Sequence, residues 1–160
     1  SKIGNNHEAL KYFTLSCEGG HLNACVNQGA MMTRVGKYEQ ARVVYRKACE
    51  KGDGLACRNI GQMFLNEKKR DEARKYFTMS CENKNGEGCG KLGYMNYEQG
   101  KIAEAEKLYE KGCSLEDDGA CYNKADELLK KKKTSEAMSI LEKSCERGHK
   151  ASCGQLGLQY

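Results

Sequence analysis

The stretch "CEKGDGLAC", residues Cys49–Cys57, is one of five segments in this sequence with seven residues between two cysteines. The first cysteines stand at positions 17, 49, 81, 113 and 145, and the second at 25, 57, 89, 121 and 153. Both series advance by 32 residues. A fixed period of roughly 20 to 50 residues is typical of solenoid proteins, whose repeats stack on their neighbours. The spacing therefore predicts a repeat array with one cysteine pair per repeat.

Small and bulky residues follow the same period. Glycine recurs at positions 29, 61, 93 and 157, with Ala125 as the exception; alanine recurs at 9, 41, 73, 105 and 137; and a bulky residue stands at 13, 45, 77, 109 and 141. Within one repeat, two segments around residues 55–66 and 73–80 carry apolar residues at intervals of three and four, which indicates two amphipathic helices. We therefore predict an all-α fold, an α-solenoid of helix-turn-helix repeats.

This phasing also gives the repeat boundaries. We predict a single repeat domain over 1–160, with full repeats at 23–54, 55–86, 87–118 and 119–150 and partial repeats at 1–22 and 151–160. Gly20, Gly52 and Gly148 stand where a left-handed helix cap is often needed. Lys84 and Glu116 occupy the same place in other repeats, and we expect those two turns to be built differently.

The last partial repeat is a first helix with no second helix after it. Natural solenoids usually close with a polar capping repeat. We therefore expect either a longer array or an open end, exposing Leu156 and Leu158, that self-associates.

The cysteine pairs allow several chemistries. Zinc sites usually take cysteines two to four residues apart in sets of four ligands, and redox catalysts usually carry C-x-x-C, so neither fits seven intervening residues. Unpaired buried thiols are a further alternative. Because the spacing is the same in every copy and each pair flanks a short turn, we predict local disulfides. The predicted pairs are Cys17–Cys25, Cys49–Cys57, Cys81–Cys89, Cys113–Cys121 and Cys145–Cys153.

Composition narrows the environment and the partners. The chain of 160 residues is 39% hydrophobic, contains no proline or tryptophan, and has no apolar run that approaches a membrane span, so we expect no membrane insertion. Its net charge of +5 comes from interleaved basic and acidic residues, which does not indicate nucleic-acid binding. Predicted disulfides imply an oxidising compartment, secreted or periplasmic. The segment "SKIGNNHEAL" has no apolar stretch of a secretion signal, so we expect any signal to be absent from this sequence.

Several segments resemble known families. Gly61, Ala73, Phe77 and the small Ser80 follow the spacing of tetratricopeptide-like repeats. "YRKACEKGDGLACRNIG" (45–61) and "NGEGCGKLGYMNYEQGKIAEAEKLYEKGC" (85–113) resemble the cysteine-rich Sel1-like repeats of the Helicobacter cysteine-rich protein family. The resemblance implies a right-handed superhelix of helical hairpins, one disulfide per repeat, secretion, and recognition of proteins or peptides.

Some members of the resembled family are linked to β-lactam binding or hydrolysis. The sequence has no S-x-x-K motif for a serine nucleophile. We therefore predict a scaffold that is not an enzyme and needs no cofactor or metal, with a β-lactam-binding or β-lactam-hydrolysing cell-wall-related protein as the alternative.

The first helices of such a solenoid line its concave face, which suits an extended peptide. Three asparagines share one phase and could hold a peptide backbone; alternatively, they tie adjacent helices or face water. Three tyrosines suit a partner contact, or else core packing or a scattered surface. The predicted partner-binding residues are Asn27, Arg34, Arg58, Asn59, Gln62, Lys91, Tyr94, Tyr97, Tyr122, Asn123 and Asp126, with Lys130 on the same face.

Overall fold

The computed structural model describes residues 2–157 of the chain, with side chains from residue 8 onward. Within this range the secondary structure consists of ten helices, without strands. The helices are α1 (Lys2–Glu18), α2 (Leu22–Arg34), α3 (Tyr38–Glu50), α4 (Gly54–Asn66), α5 (Arg70–Glu82), α6 (Gly86–Glu98), α7 (Ile102–Ser114), α8 (Asp118–Lys130), α9 (Thr134–Glu146) and α10 (Lys150–Gly157).

The helices belong to two compact units that divide between Asn83 and Lys84. Unit one contains α1 to α5, and unit two contains α6 to α10. In each unit every helix packs against the next one along the chain. In unit two the first helices of successive repeats also touch, α6 with α8 and α8 with α10. The predicted fold class, an α-solenoid of Sel1-like and tetratricopeptide-like repeats, is confirmed.

The period of 32 residues consists of two equal halves. Each helix from α2 to α9 has 13 residues, and three residues separate it from the next helix. Within each three-residue turn between α1 and α10, one residue has a positive φ, and these residues recur every 16 positions. They are Gly20, Gly36, Gly52, Lys68, Lys84, Gly100, Glu116, Lys132 and Gly148.

One expectation about these turns is wrong. Lys84 (φ 59°) and Glu116 (φ 62°) adopt the same left-handed conformation as Gly52 (φ 91°). A left-handed residue lets the amides after the helix bond its last free carbonyls, as in Asp117 N–H to Gly112 O at 3.1 Å. The short turn therefore imposes the left-handed conformation even where the residue is not glycine. For a residue with a side chain, this conformation costs about 1 to 2 kcal/mol.

The helix starts show a second repeated device. Asp53, Asn85 and Asp117 precede first helices and accept hydrogen bonds from the backbone N–H three residues later, at 2.8, 2.8 and 2.7 Å. This is the standard N-cap contact, which satisfies a helix-end donor. His149 stands at the same place before α10, and its Nδ1 lies 2.8 Å from Ser152 Oγ. His149 thus occupies the position in the repeat that holds the N-cap residue of the other first helices.

Glycines of the first helices pack directly on rings of the second helices. A Cβ added to the glycine would lie 2.6 to 2.8 Å from the ring, closer than side chains pack. The pairs are Gly29–Tyr45, Gly61–Phe77 and Gly93–Tyr109. In the fourth repeat the glycine is replaced by Ala125, and the ring by Leu141, which lies with it in one buried cluster. Glycine thus accompanies an aromatic ring, and alanine accompanies leucine.

Four of the five predicted disulfides cross turns between successive repeats. Four pairs have Cα–Cα distances in the range that disulfides require. They are Cys17–Cys25 at 4.6 Å, Cys49–Cys57 at 4.8 Å, Cys113–Cys121 at 4.4 Å and Cys145–Cys153 at 4.8 Å. Cys81 and Cys89 are disulfide-bonded as well, so no cysteine among residues 2–157 is free.

We expect Gly61→Ala to destabilise the chain by about 1 to 3 kcal/mol, because the new methyl group would meet the Phe77 ring at 2.8 Å. The pair Ala125 and Leu141 suggests the compensation. In the double variant Gly61→Ala/Phe77→Leu, we expect a favourable coupling of about 1 kcal/mol or more. Urea denaturation of the oxidised wild type, both single variants and the double variant measures this coupling. Strict additivity would contradict the packing argument.

Candidate functional site

Unit two contains a groove between α6 and α8, which we call the α6–α8 groove. It consists of two adjoining pockets that share Tyr94 and Asn123, with volumes of about 360 and 100 Å³. The first is lined by Glu87, Gly90, Lys91, Tyr94, Asp117, Gly119, Ala120 and Asn123. The second is lined by Tyr94, Tyr97, Tyr109, Asn123, Asp126, Glu127 and Lys130.

Small residues form part of the lining of the larger pocket. Gly90 and Ala120 face each other, and a Cβ on Gly90 would lie 3.0 Å from Asp117 Oδ2 and 3.4 Å from Ala120 Cβ. With glycine there, no side chain from α6 fills the space beside Asp117. Gly90 is buried, and the absence of a side chain lets Asp117 and Ala120 pack closely on α6.

Two tyrosines of α6 line the groove with exposed rings: Tyr94 lines both pockets, and Tyr97 lines the smaller one. Tyr94 is 52% exposed and Tyr97 is 38% exposed. Lys130 of α8 reaches Tyr97 from the other side: its Nζ lies 5.1 Å from the ring centroid and donates to Tyr97 Oη at 3.3 Å. The groove thus offers large aromatic surfaces, the kind that contribute most to protein recognition.

The positive charge of Lys130 is matched within α8. Its Nζ lies 2.8 Å from Asp126 Oδ2 and 2.7 Å from Glu127 Oε1. The hydrogen bonds to Asp126 and Glu127 raise the pKa of Lys130 above its ordinary value. Beneath this cluster, burial raises the pKa of Tyr109 to about 12, and the Glu127 carboxylate adds to the effect. Tyr109 therefore stays neutral, and the smaller pocket presents a paired ammonium group.

Asp117 brings a less compensated charge to the larger pocket. Burial raises the pKa of its carboxyl group, and the nearby carboxylates of Glu87 and Asp118 raise it further. The N-cap hydrogen bond from Ala120 N–H, at 2.7 Å, acts in the opposite direction. The larger pocket therefore contains the Asp117 carboxylate, whose negative charge is disfavoured by burial and by neighbouring carboxylates.

The structure brings together five of the predicted partner-binding residues. Lys91, Tyr94, Tyr97, Asn123 and Asp126 all line the α6–α8 groove. The predicted set thus converges where α6 and α8 of unit two meet.

Tyr122, although adjacent to Asn123, is not among the lining residues of either pocket. Its hydroxyl donates to Gln155 Oε1 at 3.1 Å, and its ring makes an edge contact with His149 at 6.1 Å. The three predicted tyrosines therefore do not form one surface, because consecutive positions on α8 point toward different neighbours.

The remaining predicted residues lie on α2 and α4 of unit one. Asn27 and Arg34 are exposed on α2. Asn59 of α4 lies within hydrogen-bonding reach of the Tyr45 hydroxyl, and Arg58 is close enough to influence that hydroxyl electrostatically. Gln62 donates to Asn66 Oδ1 at 2.9 Å along the same helix. Thus the amide of Asn59 contacts the second helix α3.

At the C-terminal end, Leu156 is half-buried and packs against the cluster of Ala125, Ala137 and Leu141. Leu156 is therefore partly covered at the expected open end, and the expected self-association stays a prediction. Leu158, the other residue of that expectation, lies outside the described residues.

Sequence reasoning missed several groove residues. Glu87, Gly90 and Asp117 line the larger pocket, and Tyr109 and Glu127 line the smaller one. Asp117 has a detectable signal, since it shares the N-cap phase of Asp53 and Asn85. Tyr109 belongs to the bulky phase, which predicts burial but does not show that one edge of the ring reaches a pocket.

Among residues 2–157, no helix is long and apolar enough to cross a membrane. The same range contains no group of three or more histidine, cysteine, aspartate or glutamate side chains arranged to hold a metal ion.

Comparison with known proteins supports the repeat assignment. The family model of the tetratricopeptide repeat matches residues 86–118 and 119–147. No curated protein shows significant sequence similarity to the chain.

Solved structures extend the similarity along the chain. A Sel1 repeat protein from Oxalobacter formigenes has a TM-score of 0.81 at 19% identity, over 97% of this chain and 70% of that one. A protective antigen present in uropathogenic Escherichia coli strains has a TM-score of 0.75 at 24% identity, over 94% of this chain and 36% of that one, so the chain spans about a third of that protein.

Helicobacter pylori cysteine rich protein B has a TM-score of 0.59 at 27% identity, over 74% of this chain and 93% of that one. Together with the repeats and the oxidised cysteines, these similarities define the class. The chain has the fold of Sel1-like and tetratricopeptide-like repeats and resembles the Helicobacter cysteine-rich protein family.

The pH dependence of stability tests the electrostatics of Asp117. A carboxyl group whose pKa is raised by folding stabilises the fold while protonated, and this contribution is lost as pH rises through the folded pKa. Asn caps helices as well as Asp does but carries no charge. We therefore expect Asp117→Asn to equal the wild type below the unfolded pKa of Asp, and to become the more stable protein as pH rises.

Urea denaturation of the oxidised proteins between pH 3 and pH 8 gives this comparison. Asp117→Ala, which loses both the cap and the charge, serves as the control for the cap and should be about 1 kcal/mol less stable than Asp117→Asn at all these pH values. A wild type that gains stability over Asp117→Asn with rising pH would contradict the assignment.

Proposed function

We propose that the chain is a secreted or periplasmic scaffold that binds an extended segment of a partner protein in the α6–α8 groove. The main support is that five of the predicted residues line one groove, and that two of them are tyrosines with exposed rings. Sel1-like and tetratricopeptide-like repeats typically mediate protein interactions, which supports the same function.

The lining of the groove suits an extended chain. Tyr94 and Tyr97 supply contact area with little loss of side-chain freedom, and Asn123 supplies an amide that both donates to and accepts from a peptide backbone. Gly90 lets Asp117 and Ala120 pack closely against α6 at one side of the groove. An extended segment uses such features because its backbone groups need partners along their length.

The charges of the larger pocket favour a basic side chain in the bound segment. Glu87 and Asp117 both line it, and a bound cation would relieve the unfavourable proximity of their carboxylates. We therefore propose that the segment places a lysine or arginine beside Asp117 and an apolar or aromatic residue beside Tyr94.

The proposed compartment follows from the cysteines. All cysteines of the described residues are in disulfides, which persist in oxidising environments. The similarity to a Helicobacter cysteine rich protein supports the same compartment. The unit-one residues Asn27, Arg34, Arg58, Asn59 and Gln62 are proposed as a further contact surface. Nothing in the described residues favours the alternative of β-lactam binding or hydrolysis.

A random peptide library displayed on phage tests the groove. After panning against the oxidised chain, enriched peptides are synthesised and their affinities measured by isothermal titration calorimetry. We expect Tyr94→Ala and Tyr97→Ala each to weaken binding by about tenfold, the loss of an aromatic contact of about 1 to 2 kcal/mol. Glu87→Gln should weaken peptides with a basic residue more than their norleucine analogues.

Tyr38→Ala is the matched control, because Tyr38 is 56% exposed but lies on α3, outside the groove. We expect it to bind the peptides like the wild type. The proposal fails if no peptide is enriched, or if enriched peptides bind the Tyr94 and Tyr38 variants equally well.

A further inference from the structure

Two disulfides in the same position of the repeat, Cys49–Cys57 and Cys113–Cys121, differ in how well they are covered. In unit one, Cys49 and Cys57 are 2% and 0% exposed. In unit two, the bridge between α7 and α8 has one buried sulfur residue and one accessible one: Cys121 is 3% exposed, whereas Cys113 is partly exposed. Within this bridge a thiol in solution therefore meets Cys113 before Cys121; Cys17, Cys145 and Cys153 are partly exposed as well.

One phase of the second helix differs between these two bridges. Met79 of α5 packs against the buried cluster that contains Cys49 and Cys57. The residue 64 positions later, in the same phase of α9, is Lys143, whose side chain is exposed to solvent. Lys111 stands in this phase as well, and there Cys81 and Cys89 are 3% and 0% exposed, so this change alone does not set the exposure.

A second change places a positive charge beside the buried sulfur. Asn83 Nδ2 lies 3.9 Å from Cys57 Sγ. At the corresponding place in unit two, Arg147 Nη2 lies 3.9 Å from Cys121 Sγ. The neutral amide beside Cys57 is therefore replaced by a guanidinium group beside Cys121.

Arg147 is held in this position by Asp118. Arg147 Nε donates to Asp118 Oδ1 at 2.9 Å, and Ser144 Oγ donates to the same oxygen at 2.8 Å. The hydrogen bond with Asp118 raises the pKa of Arg147, so the guanidinium keeps its charge.

We propose that Cys113 is a site of covalent thiol attachment. The thiolate of a small monothiol, of the glutathione or free-cysteine class, attacks Cys113 Sγ and forms a mixed disulfide there. The bond between Cys113 Sγ and Cys121 Sγ breaks, and its electron pair leaves on Cys121 Sγ. The Cys121 thiolate forms beside the Arg147 guanidinium and then takes a proton from water. The step exchanges one disulfide for another and needs no oxidant or reductant.

Both features of the bridge direct the exchange the same way. Attack requires access to the sulfur, which Cys113 has and Cys121 lacks. Exchange is faster when the leaving thiol has a lower pKa, and a neighbouring arginine stabilises the thiolate form. Because the bridge ties α7 to α8, attachment removes the covalent link between the helix pairs α6–α7 and α8–α9, which hold the α6–α8 groove.

Limited exchange with glutathione tests the proposal on the full oxidised chain. Samples taken at intervals are trapped with N-ethylmaleimide, digested without reduction, and analysed by mass spectrometry. We expect glutathione on Cys113 and N-ethylmaleimide on Cys121. The rate should exceed that of the Cys49–Cys57 bridge by about tenfold or more, in line with the difference in access.

Three variants separate chemistry from loosening of the fold. We expect Arg147→Gln to slow the exchange at Cys113 several-fold; loss of its contact with Asp118 would by itself loosen α9 and speed the exchange instead. Lys143→Met, which places the residue type of Met79 in this phase of α9, should also slow it. The converse graft Met79→Lys/Asn83→Arg should speed exchange at Cys49. Circular dichroism and urea denaturation establish that each variant is folded.

The proposal is overturned if glutathione is found mainly on Cys121, or if Cys49–Cys57 exchanges as fast as Cys113–Cys121. It is also overturned if the Arg147→Gln variant exchanges as fast as the wild type or faster.

Discussion

The local disulfide between one repeat and the next is the constraint on which the rest of this structure depends. Each recorded bridge joins the end of a second helix to the start of the following first helix, with only seven residues between the cysteines. A repeat of two short helices buries little apolar surface by itself, and a chain with mean hydropathy of −0.80 has few apolar residues to form a larger core. In the chain-entropy model each such loop adds about 2 to 3 kcal/mol. The disulfides thus add stability to a fold with a small hydrophobic core.

The packing of the two helices within each repeat depends on side chains of complementary size rather than on large side chains. Glycine opposite an aromatic ring and alanine opposite leucine fill similar space between the helices, so the crossing is kept while its residues change. In unit two this close approach of the helices also shapes the α6–α8 groove. The residues that let α6, α7 and α8 meet closely, Gly86, Gly90 and Gly112, surround the position of Asp117. The packing of the array and the shape of the groove therefore have one origin.

The fold was predictable from the sequence because its period is strict. Cysteine spacing and the glycine, alanine and ring phases predict the helix order, and the first helices α2, α4, α6 and α8 each begin one residue before the start of a predicted repeat. The turn conformations at Lys84 and Glu116 were not predictable from residue type, because a three-residue connection imposes them. The groove was predictable only in part. Position along a first helix identifies Tyr94 and Asn123, but whether neighbouring Tyr122 faces the groove or α10 depends on contacts between repeats.

The short span of each bridge also bears on biosynthesis. Ten cysteines can pair in very many ways, yet here each meets its proper mate as soon as one helical corner has formed, long before distant sulfurs come near. Oxidative maturation of such a chain can proceed corner by corner in the order of translation, with little need for a shuffling catalyst. Low contact order has the same effect on folding speed, since loop closure costs little when partners are neighbours. An array of this kind can lengthen by duplication without making its own assembly harder.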